Sequence, residues 1–288
     1  MSTSVCLRDW MAEMSRRIEQ TLEIALAAPL QTELLRATRY VTLGGGHRWR
    51  GLLVLAAGTI FRPETEALAL PLAAALEMMH AASLVLDDLP SMDNALTRRG
   101  RACVHLVFPE PVVDLLPAFL VNRAYGVAVE NSAASAESRL DVLRLLGEAG
   151  EQLARGQELD LALARRPVNK AELLECYALK TGALFAAALA GGARVCGAGA
   201  ADMRPLQEAG VKLGQAYQIL DDLADGPEED GEYPVAGRLT AYSLFGRAGA
   251  REQAQRLLRE CTGQLDRFGP AAGRLRGVLG EILPPETS

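Results

Sequence analysis

Apolar residues recur at spacings of three and four along most of this chain, the period of helices that bury one face. The repeat is plain in LRDWMAEMSRRIEQTLEIAL, GLLVLAAGTI, ALPLAAALEMMHAASLVL, RLDVLRLLGEAGEQLA and KAELLECYALKTGALFAAALAGGA. Alternating, strand-like runs are scarce. Gly- and Pro-rich breaks at 44–46, around Pro90, at 109–117, 165–169 and 226–237 predict turns and loops. Segments around 70–86 and 178–198 are apolar on most faces, so they are predicted to run through the middle of the molecule. The expectation is an all-α helical bundle of ten or more helices. It forms a single domain over 1–288, since no long polar linker divides the chain. The small-residue run AAALAGGA suits close helix contact, either in the core or at a dimer seam.

Composition narrows the possible functions. Apolar residues make up 49% of the 288 positions, enough for a sizeable core. With 30 basic against 36 acidic residues the formal charge is −6, and no Lys/Arg run is present, which argues against a nucleic-acid surface. Any anionic ligand must then be met by local basic groups. The opening MSTSVCLRDWMAEMSRR has no apolar signal core, and no uninterrupted apolar stretch reaches spanning length. A cytoplasmic protein without a membrane span is expected. Cys6, Cys103, Cys176, Cys196 and Cys261 are scattered without a CxxC pair, which fits reduced structural thiols.

Two acidic clusters interrupt the helical pattern: Asp87, Asp88 and Asp93 in LVLDDLPSMDN, and Asp221, Asp222 and Asp225 in QILDDLAD. Each follows an apolar helical run, where bare carboxylates are costly and oppose the helix macrodipole. Oxygen-only donors of this kind suit Mg²⁺, which takes a few carboxylates together with water and substrate phosphates. Asp221 and Asp225 share a helix face, whereas Pro90 predicts that the first helix ends before Asp93, which reaches back from a loop. A single cluster of this type is equally a solvated helix end; two matched copies favour two halves of one diphosphate site.

Basic counterparts are present. The run Gly44-Gly45-Gly46-His47-Arg48-Trp49-Arg50 sets a flexible backbone beside guanidiniums, a combination suited to phosphate, though a glycine turn with surface arginines has the same composition. Arg98-Arg99-Gly100 follows the first cluster closely. Lys180 stands inside the apolar segment YALKTGALFAA, where an unpaired ammonium needs an anion, and it is one of only three lysines. Gln218 lies one turn before Asp221, and His80 lies two turns before Asp87 on the same face.

Together these residues resemble the trans-isoprenyl diphosphate synthases, most of all the bacterial short-chain geranylgeranyl diphosphate synthases. The match runs from about Tyr40 to Gly246. It comprises GGxRxR ending at Arg50, DDxxxxD from Asp87 followed by RRG, GQxxDL from Gly156 to Leu161, KTG from Lys180, and GQAxQxxDDxxD ending at Asp225. The resemblance implies an isoprenoid-synthase bundle with a central cavity, working as a homodimer on isopentenyl diphosphate and an allylic diphosphate. It implies three Mg²⁺ ions on the two Asp clusters, with Arg98 and Lys180 on the allylic diphosphate and His47, Arg50, His80 and Arg99 on isopentenyl diphosphate. Thr181, Gln218 and the Lys180 carbonyl would face the carbocation, and the leaving pyrophosphate would take the final proton. Product length in such enzymes depends on side chains below the first cluster. Small Ala82 and Ser83, with Met78 and Met79 deeper, imply a twenty-carbon product, with fifteen carbons as second choice.

Departures from that pattern are local. His47 stands where the family has lysine, and an imidazole carries a full charge only at lower pH. After Asp225 the family's lysine-bearing loop is replaced by GPEEDGEYPVAGRLT, with Glu228, Glu229, Asp230 and Glu232 adding negative charge and Arg238 in place of one lysine. A prenyl-synthase-like regulatory subunit with little catalysis of its own is therefore an alternative. A terpene cyclase is another, disfavoured because it needs no isopentenyl site.

Overall fold

The computed structural model describes residues 3–28, 30–224 and 240–283. Among them are eleven α-helices: α1 (Thr3–Ala25), α2 (Glu33–Thr42), α3 (Trp49–Gly58), α4 (Glu66–Asp87), α5 (Glu110–Val129), α6 (Ala136–Leu163), α7 (Lys170–Tyr177), α8 (Ala183–Val195), α9 (Ala200–Ala224), α10 (Ala241–Gln264) and α11 (Gly273–Ile282). The all-α expectation holds. The one described sheet is a minimal hairpin, β1 (Thr97–Arg98) against antiparallel β2 (Arg101–Ala102).

Side-chain caps set several helix starts. The hydroxyls of Thr32 and Ser135 accept from the backbone N–H groups of Leu35 and Ser138, opening α2 and α6. Reciprocal boxes open α7, through Asn169 and Glu172, and α10, through Thr240 and Ser243. Between α7 and α8 the backbone widens into a π-type turn at Ala178–Gly182, a feature that recurs at functional sites.

The apolar segments occupy the centre, as their sequence requires. Every residue of α3 from Gly51 to Gly58 is buried, and so is nearly all of α8. Helix α8 packs on α3, α6 and α9, while α4 packs on α3 and α5. The AAALAGGA run lies inside this core, so close packing within one chain accounts for it. A Cβ on Gly192 would lie 2.2 Å from the Val54 carbonyl oxygen. Gly156 of α6 and Gly214 of α9 likewise press on the π-type turn, where a Cβ would lie 2.5 Å from the Lys180 nitrogen and 2.4 Å from the Gly182 Cα. The turn is thus clamped between two helices.

Three helical stretches, Glu66–Asp87, Glu110–Val129 and Lys170–Val195, are long and apolar enough by length and composition to cross a membrane, although Glu77, Asp114 and Arg123, and Lys180 interrupt them. In the first and third, 72% of the most apolar window is buried inside the fold, so core packing explains their composition. Helix α5 differs, with only 33% of its window buried and Leu115 and Val129 exposed.

Because the Val54 carbonyl is backbone and cannot swing away, Gly192→Ala should cost roughly 1–3 kcal/mol or more. Gly263→Ala on α10, where a Cβ meets open space, should be neutral or slightly stabilising. Urea denaturation of both variants measures this, and equal midpoints would contradict the packing described.

Candidate active site

One cavity of about 730 Å³ opens at the C-terminal end of α4 and carries opposite charges on its two sides. Asp87, Asp93, Asp160 and Asp221 line one side, and Arg48, Arg50, Arg98 and Arg99 line the other. Lys180, Thr181, Gln218 and His80 line the same cavity, Lys180 beside the carboxylates and His80 beside the guanidiniums.

The acidic side is assembled from α4, α6 and α9. Helix α4 ends at Asp87, and the chain turns through Pro90 so that the Asp93 N–H donates to the Asp87 carbonyl at 3.0 Å. The predicted return of Asp93 from a loop is what the structure shows. Lys180 Nζ donates to Asp160 Oδ2 at 2.7 Å and lies 4.0 Å from Asp87 Oδ1. Burial works against the ammonium, but the charges of Asp87 and Asp160 outweigh it and hold the Lys180 pKa above its ordinary value. Asp87 is pushed up by burial and by Asp93, with Lys180 and Arg98 only partly opposing.

Not all of the expected carboxylates face the cavity. Asp88 is buried, is held by Arg98 (Nη2 to Oδ1 at 2.6 Å, Nε to Oδ1 at 3.1 Å and to Oδ2 at 3.4 Å), and lines a separate small cleft with Tyr40 and Cys103. One residue further along a helix end turns a side chain by about 100°, which is why Asp87 and Asp88 part company. Asp222 reaches the cavity, but its Oδ2 accepts from the Tyr177 hydroxyl and, at 2.7 Å, from the Ala241 N–H. It therefore ties α9 to the first turn of α10, and burial beside this carboxylate drives the Tyr177 phenol far above its ordinary pKa. Gln218 donates to Asp222 Oδ1 at 3.3 Å and accepts from the Thr181 hydroxyl at 2.9 Å, which joins two of the expected site residues directly. Asp225, Glu228, Glu229, Asp230, Glu232 and Arg238 lie outside the described residues.

The basic side depends on the turn before α3. Gly46 has φ +112°, and a Cβ there would lie 2.6 Å from the Arg99 Cζ, so only glycine lets that guanidinium lie against the turn. Arg99 Nη1 also donates to the Gly45 carbonyl at 2.5 Å. The Arg50 guanidinium lies over Phe185, 5.0 Å from the ring centroid, and its Nε is buried without a hydrogen-bond partner. His47 stacks on Trp49 at the exposed rim. Burial and then the surrounding guanidiniums, Arg50 foremost, depress the His80 pKa well below 6.5, and its Nδ1 is buried and unpartnered.

His47, Arg50, His80, Arg98 and Arg99 thus share one cavity with Asp87, Asp93, Asp221, Asp222, Lys180, Thr181 and Gln218. Of the residues expected to set product length, Ser83 lines the cavity. Met78, Met79 and Ala82 are buried in the main core, and Met79 packs toward Gly150 of α6. Four further cavity residues, Glu77, Asp160, Tyr177 and Tyr217, were absent from the expected site. Asp160 was signalled by the GQxxDL motif and Glu77 by standing one helical turn before His80; neither tyrosine had a signal.

The polyprenyl synthetase family pattern matches residues 31–233. A probable farnesyl diphosphate synthase of Bradyrhizobium diazoefficiens is 35% identical, over 94% of this chain and 85% of that protein. A geranylgeranyl diphosphate synthase of Pantoea ananas is 33% identical, over 86% and 83%. Among solved structures, an FPP/GFPP synthase from Zymomonas mobilis superposes with a TM-score of 0.87 at 33% identity, covering 97% of this chain and 99% of that one.

The folded His80 binds a proton only well below 6.5. As pH falls through about 6.5 the unfolded chain therefore takes up a proton that the folded chain does not, and stability declines. His80→Gln should flatten the fall in melting temperature between about pH 7 and 5. An unchanged slope would mean that the imidazole is protonated in the folded protein.

Proposed function

The chain belongs to the polyprenyl synthetase family and is a short-chain trans-prenyltransferase, and from that premise we propose that it condenses isopentenyl diphosphate with an allylic diphosphate to geranylgeranyl diphosphate. The observation that carries this reading is one cavity lined by carboxylates and guanidiniums, with Lys180 set among the carboxylates. Two diphosphates can occupy it at once, one against each side.

Mg²⁺ fits the acidic side. Asp87, Asp93 and Asp221 line one cavity and offer only oxygen, the donor that Mg²⁺ takes together with water and phosphate. Three bound ions would neutralise the allylic diphosphate and stabilise the charge that develops as pyrophosphate departs. Lys180, held cationic by Asp160 and Asp87, adds a fixed charge at the same place. Arg98, now on Asp88, stands at the junction of the two sides.

Isopentenyl diphosphate is received by Arg50, Arg99 and His47, while neutral His80 supplies a hydrogen bond without a charge. The allylic C–O bond breaks, the isopentenyl double bond attacks the C1 cation, and the new cation loses a proton to the departing pyrophosphate. Thr181 and Gln218, locked to each other, present oxygen dipoles toward the cation. For product length, two relatives named probable farnesyl diphosphate synthase support fifteen carbons. The small side chains of Ala82 and Ser83 support growth past that point, so twenty carbons is the first reading and fifteen the second. A cytoplasmic homodimer completes the proposal: four of the five free cysteines are buried thiols, and the apolar residues exposed on α5 offer a face for a second copy.

Incubation with dimethylallyl and isopentenyl diphosphates and Mg²⁺, followed by weighing the chains, should give a twenty-carbon diphosphate as main product. A cyclase would consume a longer allylic diphosphate alone, and a regulatory subunit would turn over neither substrate. Asp87→Ala should lower turnover by about a hundredfold or more, and unchanged turnover would remove Asp87 from the metal site. His47→Lys should lower the KM for isopentenyl diphosphate roughly a few-fold, because an ammonium is charged at neutral pH; a raised KM would mean that the imidazole is itself the fitted group.

A further inference from the structure

Glu77 lines the cavity on its basic side, yet its side chain is only 2% exposed and the reaction above gives it no task. A carboxylate beside a diphosphate subsite weakens anion binding unless it does something else. Its contacts show what that is. Oε1 accepts from the Gly51 N–H at 3.0 Å, and Oε2 lies 3.6 Å from Arg48 Nη1, which fastens the start of α3 to α4. Arg48 is buried, sits at φ +56°, donates to the Thr42 carbonyl at 2.9 Å and lies 3.4 Å from Glu19 Oε1 as well, so the turn between α2 and α3 is closed around a guanidinium that Glu77 and Glu19 share.

The influence of Glu77 extends to the two guanidiniums that receive phosphate. Burial lowers the pKa of both Arg50 and Arg99, which remain cationic, and Glu77 is the carboxylate that opposes the shift in both. Arg50 has little else to hold it: its plane lies on Phe185 and its buried Nε has no hydrogen-bond partner. His80 Nδ1, one turn along α4 from Glu77, is also buried without a partner. Both atoms belong to residues that line the cavity, where a ligand or water can reach them.

We propose that Glu77 is a positioning residue, which holds the 44–51 turn, and with it the start of α3 that carries Arg50, in the geometry that receives isopentenyl diphosphate; this rests on the two-substrate reading above. Positioning and plain electrostatics make opposite predictions. Glu77→Gln adds positive charge to the subsite, so electrostatics alone tightens anion binding. Loss of positioning weakens it, because the ion pair that orders the turn is broken.

The test varies isopentenyl diphosphate at saturating geranyl diphosphate, and the reverse, with the full chain and Mg²⁺. For Glu77→Gln the KM for isopentenyl diphosphate should rise about tenfold, while kcat and the KM for geranyl diphosphate change by less than about twofold. A merely structural role would move all three together, and an unchanged or lowered KM for isopentenyl diphosphate overturns the proposal. Calorimetric titration with isopentenyl diphosphate alone separates this inference from the reading beneath it. A wild-type chain that binds the ligand more tightly than Glu77→Gln but does not condense it would sink the synthase reading and leave the positioning role standing. A wild-type chain that condenses with the same KM as the variant would do the opposite, and one that does not bind isopentenyl diphosphate would sink both. Should Glu77→Gln not fold, Arg48→Lys loosens the same ion pair from the other side and is judged by the same split.

Discussion

The ammonium of Lys180, 2.7 Å from Asp160 and 4.0 Å from Asp87, is the contact through which three parts of the fold meet. A charge at the start of the buried α8 cannot stand without counter-ions, and they come from α6 and from the end of α4. The backbone that carries it is clamped by Gly156 and Gly214, which let α6 and α9 approach more closely than any larger residue allows. Once that turn is fixed, Thr181 falls beside Gln218 and both acidic helix ends point into the same space.

Charge separation across the cavity follows from this joint. Burial disfavours charge on both Lys180 and His80, but the result differs with the neighbours. Lys180 keeps its charge because Asp87 and Asp160 outweigh burial, whereas at His80 the guanidiniums add to burial and the imidazole stays neutral. The site therefore holds fixed positive charge at two separated places and a neutral imidazole at one of them. Such an arrangement suits two anions that must lie close without exchanging places. Glu77 belongs to the same logic, since three clustered guanidiniums without a carboxylate among them would repel one another.

Much of this was legible in the chain. Helix period predicted the buried central segments, and Pro90 predicted the end of α4. The spacing of His80 and Asp87, and of Gln218 and Asp221, put the right pairs on the cavity face. Other details were not legible. Asp88 and Asp222 repeat the same dipeptide position in two clusters, yet one is gripped by Arg98 and the other by Tyr177 and the Ala241 N–H. Met78 and Met79 share the helix of the first cluster but pack into the core.

By itself the sequence determined the helices, their burial and the inventory of charged groups, because a period of 3.6 residues and the residue types are local properties. Only the tertiary structure decided which carboxylates face the cavity, which counter-ion each charge obtains and that Tyr177 and Tyr217 belong to the site. The physical reason is that a helix face specifies a direction but not the neighbour found there. The free energy of a buried charge is set almost entirely by that neighbour.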